Sequence, residues 1–241
     1  MTYGTYFDAC KSYIICQILH AKEDKDKHKG ISVHPFVTIS REAGAGGTSA
    51  AQKLVEYLNE NDKMTSCPWA LFDKNLIQKV IEEHNLPVEF GMFMPENKVS
   101  DMQSIFEQLF GLHPPQSKLV DKISHTILHL AQLGNVVIVG RGANIITRHL
   151  PCGFHVRLIG MPENRLKHIE NFYHLDRKEA LKFMKKEDFA RRNYVKRNFS
   201  RDVSDNLLYD IVINTGNVSL ESAVHIIGIQ VLEKKHQLSF A

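Results

Sequence analysis

The chain has 241 residues, and its 30 Lys and Arg stand against 27 Asp and Glu, so a formal charge of +3 excludes a simple basic nucleic-acid coat. At 43% hydrophobic and 24% charged, with 14 Gly and 8 Pro, the composition is that of a soluble globular domain and excludes a disordered, collagenous or disulfide-scaffold chain. A prior of roughly 150 residues per domain leads to one domain carrying an insertion.

Residues 5–20 place Tyr6, Ile14, Ile15, Ile18 and Leu19 at helical spacing, and the charge run AKEDKDKHKG follows. The expected organisation is an N-terminal helical extension and charged linker (1–30) ahead of one large domain (31–241). Cys10, Cys16, Cys67 and Cys152 are scattered without a CxxC pair, and the 13 His never form a two-plus-two metal spacing with them. Cys10 and Cys16 therefore read as packing residues, and the expected setting is a reducing cytoplasm. The N-terminus lacks a basic and then apolar leader, and no stretch approaches the ~18 apolar residues of a span, so no membrane partner is expected.

From Pro35 onward, short apolar runs alternate with helical stretches: FVTIS (36–40), WALFD (69–73), VVIVG (136–140), FHVRLIG (154–160) and YDIVIN (209–214). Continuous rather than alternating hydrophobicity suits strands covered on both faces, and intervening helices imply right-handed parallel crossovers. The expected fold is α/β, a five-stranded parallel sheet, doubly wound. Helices are predicted at about 47–60, 74–84, 117–134, 162–175, 177–198 and 218–235. Asp73 is the expected N-cap of the second and Gly134 the C-terminal stop of the third. The 62 residues between the second and third strands exceed a simple crossover, and an insertion is placed at about 85–116.

Three segments can carry chemistry. In FVTISREAGAGGTSAAQKL (36–54) a buried-type strand passes through a Gly-rich turn into an amphipathic helix, the geometry in which backbone N–H groups face a phosphate. Measured against GxxxxGK[ST], Arg41 stands at the first Gly position and Gly47 at the Lys position, while Thr48 keeps the hydroxyl. A structural Gly turn is the alternative. In VVIVGRGANII, Gly140, Arg141 and Gly142 follow a strand at the carboxyl edge where open sheets bind ligands; Arg141 there either grips a phosphate or pairs with a carboxylate. The third segment, 177–201, holds ten Lys and Arg against three Asp and Glu, a net +7 that leaves −4 for the remainder. With Phe183, Phe189, Tyr194 and Phe199 interleaved, it reads as a lid closing arginines over phosphates, as a solvated helix with a packed aromatic face, or as a single-strand nucleic-acid groove.

ISREAGAGGTSAAQKL, FDKNLIQKV, GRGANII, KKEDFARRNY and YDIVINTGNVSLESAV, in this order, resemble the cytidylate kinase-like family of P-loop nucleoside monophosphate kinases. The resemblance covers residues 36 to about 230. It implies a lid at about 176–202, a substrate-covering role for the insertion, and phosphorylation of CMP or dCMP by ATP with Mg2+. It further implies that Gly44, Ala45, Gly46, Gly47, Thr48 and Ser49 cradle the donor phosphates, with Thr48 helping to hold Mg2+. Asp73 and Arg141 are the implied acceptor-binding residues. Arg191 and Arg192 would stabilise the transferred group, with Asp188 orienting them. Arg41 is expected to replace the charge of the missing lysine. The family's own segment lacks that lysine, so Gly47 is a family trait. This chain departs from the family at Thr48, where an Arg is usual, and at Gly142, where cytidylate kinases read GRD. The alternatives are a non-catalytic nucleotide-binding module and, third, nucleic-acid binding through 177–201. The small total charge and the lid position of the basic run argue against the last. Nucleotides are the expected partners.

Overall fold

The computed structural model describes residues 8–17, 19–20, 34–63, 65–77 and 118–239. Five parallel strands form one sheet in the order β2-β3-β1-β4-β5: β1 (Phe36–Arg41), β2 (Ala70–Phe72), β3 (Val136–Val139), β4 (Gly153–Ile159) and β5 (Ile211–Asn214). Successive side chains of a strand point to opposite faces, and here both faces are buried. Phe36, Phe72, Val136 and Ile138 pack on one face with the N-terminal helical segment (8–17) and helix α2 (Lys118–Leu133). Val37, Ile39, Leu71, Val137 and Val139 pack on the other with helices α1 (Gly47–Asn61) and α6 (Leu220–Ser239). That two-sided burial is why the strands read as unbroken apolar runs.

The expected doubly wound sheet is present, and the strand limits differ by one or two residues. The second strand is shorter than WALFD because its ends have other work. The Trp69 amide donates to Asn59 Oδ1 and its indole N–H to Asp62, while Asp73 Oδ1 accepts the amides of Asn75 and Leu76 as the expected N-cap. Gly134, at φ 73°, ends α2 as expected. Two short elements were not anticipated: a helical turn α3 (Ala143–Ile146) and a 3-10 turn at Asn206–Leu208. The expected insertion at 85–116 and most of the helix expected at 74–84 lie outside the described residues.

Beyond β4, α4 (Pro162–Tyr173) and α5 (Arg177–Phe199) form a hairpin around Leu166, Ile169, Ala180 and Met184. Pro162 opens α4 and Asp176 caps α5 by accepting the Glu179 amide at 2.8 Å.

One expectation about the cysteines fails. Cys10 is buried in the core as expected, but Cys16 is bonded to Cys67 across 51 residues, with Cα atoms 5.8 Å apart. Residue habit favours packing for a free Cys, but it carries no information about which distant residue the fold brings alongside.

Candidate functional site

Parallel register brings the chemistry together. Ile39 lies level with Val139, and Arg41 with Leu158, so the turns leaving β1, β3 and β4 stand side by side at the carboxyl edge of the sheet. A cavity of about 630 Å³ opens there beneath α5, walled by the Gly140–Asn144 turn, Arg157 and Arg191 among others. A smaller one of about 160 Å³ lies over the Gly-rich turn, against Gly44, Gly46, Gly47, Thr48 and Ser49. Arg41, Glu42 and Arg191 line both.

Arg41 lies against the backbone of Gly47. A Cβ built on Gly47 would fall 2.6 Å from Arg41 Cγ and 2.9 Å from its Cβ, and one on Gly140 would run into its Nη1. The arginine thus lies along the Gly-rich turn and reaches across to the turn after β3. Only glycine at 47 permits that approach. Burial, then the neighbouring Arg191, lowers the pKa of Arg41 to about 10; Asp73 and Glu187 pull it back, and Arg141 lowers it further. Among the described residues it forms no ion pair.

The turn after β3 carries three successive residues at positive φ, Gly140 (82°), Arg141 (56°) and Gly142 (71°). A left-handed arginine costs on the order of 1 kcal/mol or more and marks a position held by its surroundings. The Arg141 guanidinium lies 5.3 Å from the centre of the Tyr194 ring, and its Nε is buried with no acceptor among the described residues. Gly142 has a physical reason: a Cβ there would strike the ring of Phe199, whose Cδ2 and Cζ would stand 3.1 Å away. The space of the aspartate in GRD is filled by an aromatic side chain from the end of α5.

Asp188 differs from expectation. Its Oδ1 accepts the Ala43 amide and its Oδ2 accepts Arg165 Nη2, both at 2.7 Å, so it orients Arg165 and not Arg191 or Arg192. Arg165 also pairs with Glu42 at 2.8 Å, and Glu42 accepts the Gly160 amide. This network, with Arg165 buried at its centre and two half-buried carboxylates around it, pins the middle of α5 to the Gly-rich turn. Arg191 is half-buried, donates to the Arg41 carbonyl at 3.4 Å and pairs with Glu187 at 3.1 Å. Arg192 is exposed at the rim of the large cavity. Thr48 is exposed at the small cavity, whereas Ala45 is buried and lines neither. Asp73 lies near enough to act on Arg41 but spends one oxygen on its cap.

Sequence reasoning missed Arg165, Glu42, Arg157 and Ser40. Arg157 donates to Ser40 Oγ at 3.1 Å and stacks 5.5 Å from the Tyr209 ring centre, forming the inner wall of the large cavity. For Arg165 a signal existed: Gly160 and Pro162 mark the carboxyl end of β4, and an arginine in the next helical turn faces the ligand edge. Of the four aromatic residues in the basic segment, only Phe189 is strongly exposed, at 61%; Phe183 packs against α4, Tyr194 under Arg141 and Phe199 on Gly142. These four side chains therefore form no continuous stacking surface of their own.

The model of the cytidylate kinase-like family matches residues 36–217. The chain belongs to this family. Among solved structures it is similar to an uncharacterized protein from Eubacterium ventriosum, at 23% identity over 82% of this chain and 98% of that one, with a TM-score of 0.55; this likeness concerns the fold. A shikimate kinase from Bacteroides thetaiotaomicron aligns at 16% identity over 83% of this chain and 98% of that one, with a TM-score of 0.44. No curated protein matches the sequence. Membership of the cytidylate kinase-like family carries with it a nucleotide kinase-like role, here on a five-stranded parallel α/β sheet. No helix among the described residues is long and apolar enough to cross a membrane.

Proposed function

We propose that the protein transfers the γ-phosphoryl group of ATP to a nucleoside monophosphate, with CMP or dCMP as acceptor. The observation that carries this reading is the pair of cavities sharing Arg41 and Arg191. In-line transfer needs two phosphate-bearing ligands meeting at a positively charged junction, and the protein's part is positioning and neutralisation.

In this reading the donor phosphates lie along Gly44, Gly46, Gly47 and Thr48, and the rings of His168 and Phe172, stacked at 16°, flank the donor side. The acceptor phosphate sits on Arg141, with its nucleoside toward Arg157. A phosphate oxygen of the acceptor attacks the γ-phosphorus as the bond to the bridging oxygen of ADP breaks. Arg41 and Arg191 hold the equatorial oxygens, Arg191 being anchored on the Arg41 carbonyl, and Arg192 approaches from the rim. The orphaned Nε of Arg141 fits an anionic ligand. For Mg2+, the exposed Thr48 hydroxyl is the fitting donor, since Glu42, Asp188 and Glu187 are committed to arginines; the ion would rest mainly on nucleotide oxygens and would neutralise charge on the transferring group. Gly142 removes the GRD carboxylate, which leaves base selection to the Arg157 wall. The reading includes a cytoplasmic setting.

A Mg-ATP assay against CMP, dCMP, UMP, AMP and GMP tests it: ADP release should depend on a cytidine monophosphate. Nucleotide binding without turnover of any of the five would establish the non-catalytic module instead.

A further inference from the structure

Far from the phosphate site, three soft-metal donors converge. Cys16 lies at the end of the N-terminal helical segment and His20, four residues on, is also helical, the spacing at which two side chains share a helix face. Cys67 comes from the loop ahead of β2, and the ligand atoms of the three residues all lie within 4.8 Å of one another. Cys67 is 2% exposed, while Cys16 and His20 are half-buried, so the cluster is sheltered yet open on one side.

The geometry points to a second state of this cluster: after reduction of Cys16–Cys67, the two thiolates and the His20 imidazole form a Zn2+ site. Two thiolates and one imidazole are a donor set that selects zinc over magnesium or calcium, and three protein ligands leave a fourth tetrahedral position for water. Reduction proceeds by exchange with a small thiol such as glutathione. A first thiolate attacks one sulfur and forms a mixed disulfide; a second displaces the protein thiol and leaves as the oxidised dimer, so two electrons and two protons end on Cys16 and Cys67. Zn2+ then replaces those two protons, which pass to solvent, and His20 contributes a neutral nitrogen lone pair. A disulfide does not persist in a reducing compartment, whereas a thiolate–zinc cross-link does, so the helix stays fastened to β2 in either environment.

The test is a titration of the reduced full chain, cleared of added reductant, with Zn2+ in competition with a chromophoric chelator. One Zn2+ per chain should bind, and none to the oxidised chain. Cys67→Ser and His20→Ala should each weaken binding at least ~10-fold. His20→Ala separates the two roles, because it removes a metal ligand and leaves disulfide formation intact on oxidation. Should Cys67→Ser not fold, Cys16→Ser serves in its place. Absence of stoichiometric uptake by the reduced chain, or uptake unchanged in His20→Ala, overturns the inference.

Discussion

Replacing Arg41 by methionine keeps an unbranched stem along Gly47 and deletes the charge. The structure sets the expected size of the effect. A lowering from the ordinary 12.5 to about 10 corresponds, at 1.36 kcal/mol per unit, to roughly 3 kcal/mol of cation held in an unfavourable place. Because the folded-state pKa of this base is depressed, the cost is present at every pH below about 10 and fades only as the pH rises from there toward 12.5. Arg41→Met should therefore raise the ligand-free Tm by several degrees, at about 2–4 °C per kcal/mol for a chain of this size. ATP affinity should fall by at least ~10-fold, or about 1.4 kcal/mol, since the phosphates that relieve the repulsion lose their partner. Thermal melts with and without Mg-ATP, together with a calorimetric titration, read both quantities. Nucleotide affinity left unchanged refutes the reasoning whatever the melting temperature does, because Arg41 would then be a strut between two turns and not a phosphate ligand.

Gly47→Lys alone should give no gain in turnover and should cost about 1–3 kcal/mol in urea unfolding, since its Cβ meets the root of the Arg41 side chain; adding Arg41→Gly, which removes the contacting carbons, should restore part of that stability. Arg191→Ala should lower kcat at least ~10-fold and Arg192→Ala distinctly less, because the first lines both cavities and the second only a rim; equal effects in steady-state kinetics would contradict this. Asp62→Ala removes the carboxylate that Lys235 meets at 2.6 Å and should destabilise by about 3 kcal/mol or more, measured by chemical denaturation; a loss under 1 kcal/mol would speak against a buried pair. Burial pushes the His155 pKa down to about 4, helped by Lys234 and opposed by Asp210. Its unfolded form takes up a proton first, so stability should hold above about pH 6.5 and decline by roughly 3 kcal/mol as the pH falls to 4; His155→Gln should flatten that decline in urea midpoints.

The sheet was legible because burial on both faces writes itself as continuous Val, Ile and Phe, and the helices because their apolar residues recur at three and four. The Gly-rich turn was legible for the same local reason. What local pattern cannot carry is partnership across distance. Asp188 was readable as a lid carboxylate, yet its partners Ala43 and Arg165 lie 145 and 23 residues away, and no spacing announces them. Cys16 and Cys67 belong to the same class, as do Asp62 and Lys235, 173 residues apart. Gly142 shows the reverse: the sequence exposed a departure from the family, and only the Phe199 ring supplied its cause.

The N-terminal helical segment bears on how this protein can be cut. Residues 36–217 carry the family's signature, but Tyr13 is fully buried, its ring meets Phe72 edge-on at 5.8 Å, and its hydroxyl donates to the Gly134 carbonyl. At the other end, Val224, Ile227 and Val231 of α6 fill the opposite face of the sheet. A fragment trimmed to the signature would expose both faces at once, stripping apolar cover worth ~1.5–3 kcal/mol for each large side chain from a fold whose whole margin is of order 10 kcal/mol. The cooperative unit is thus wider than the matched one: residues outside 36–217 on either side complete the core on which the kinase-like centre stands.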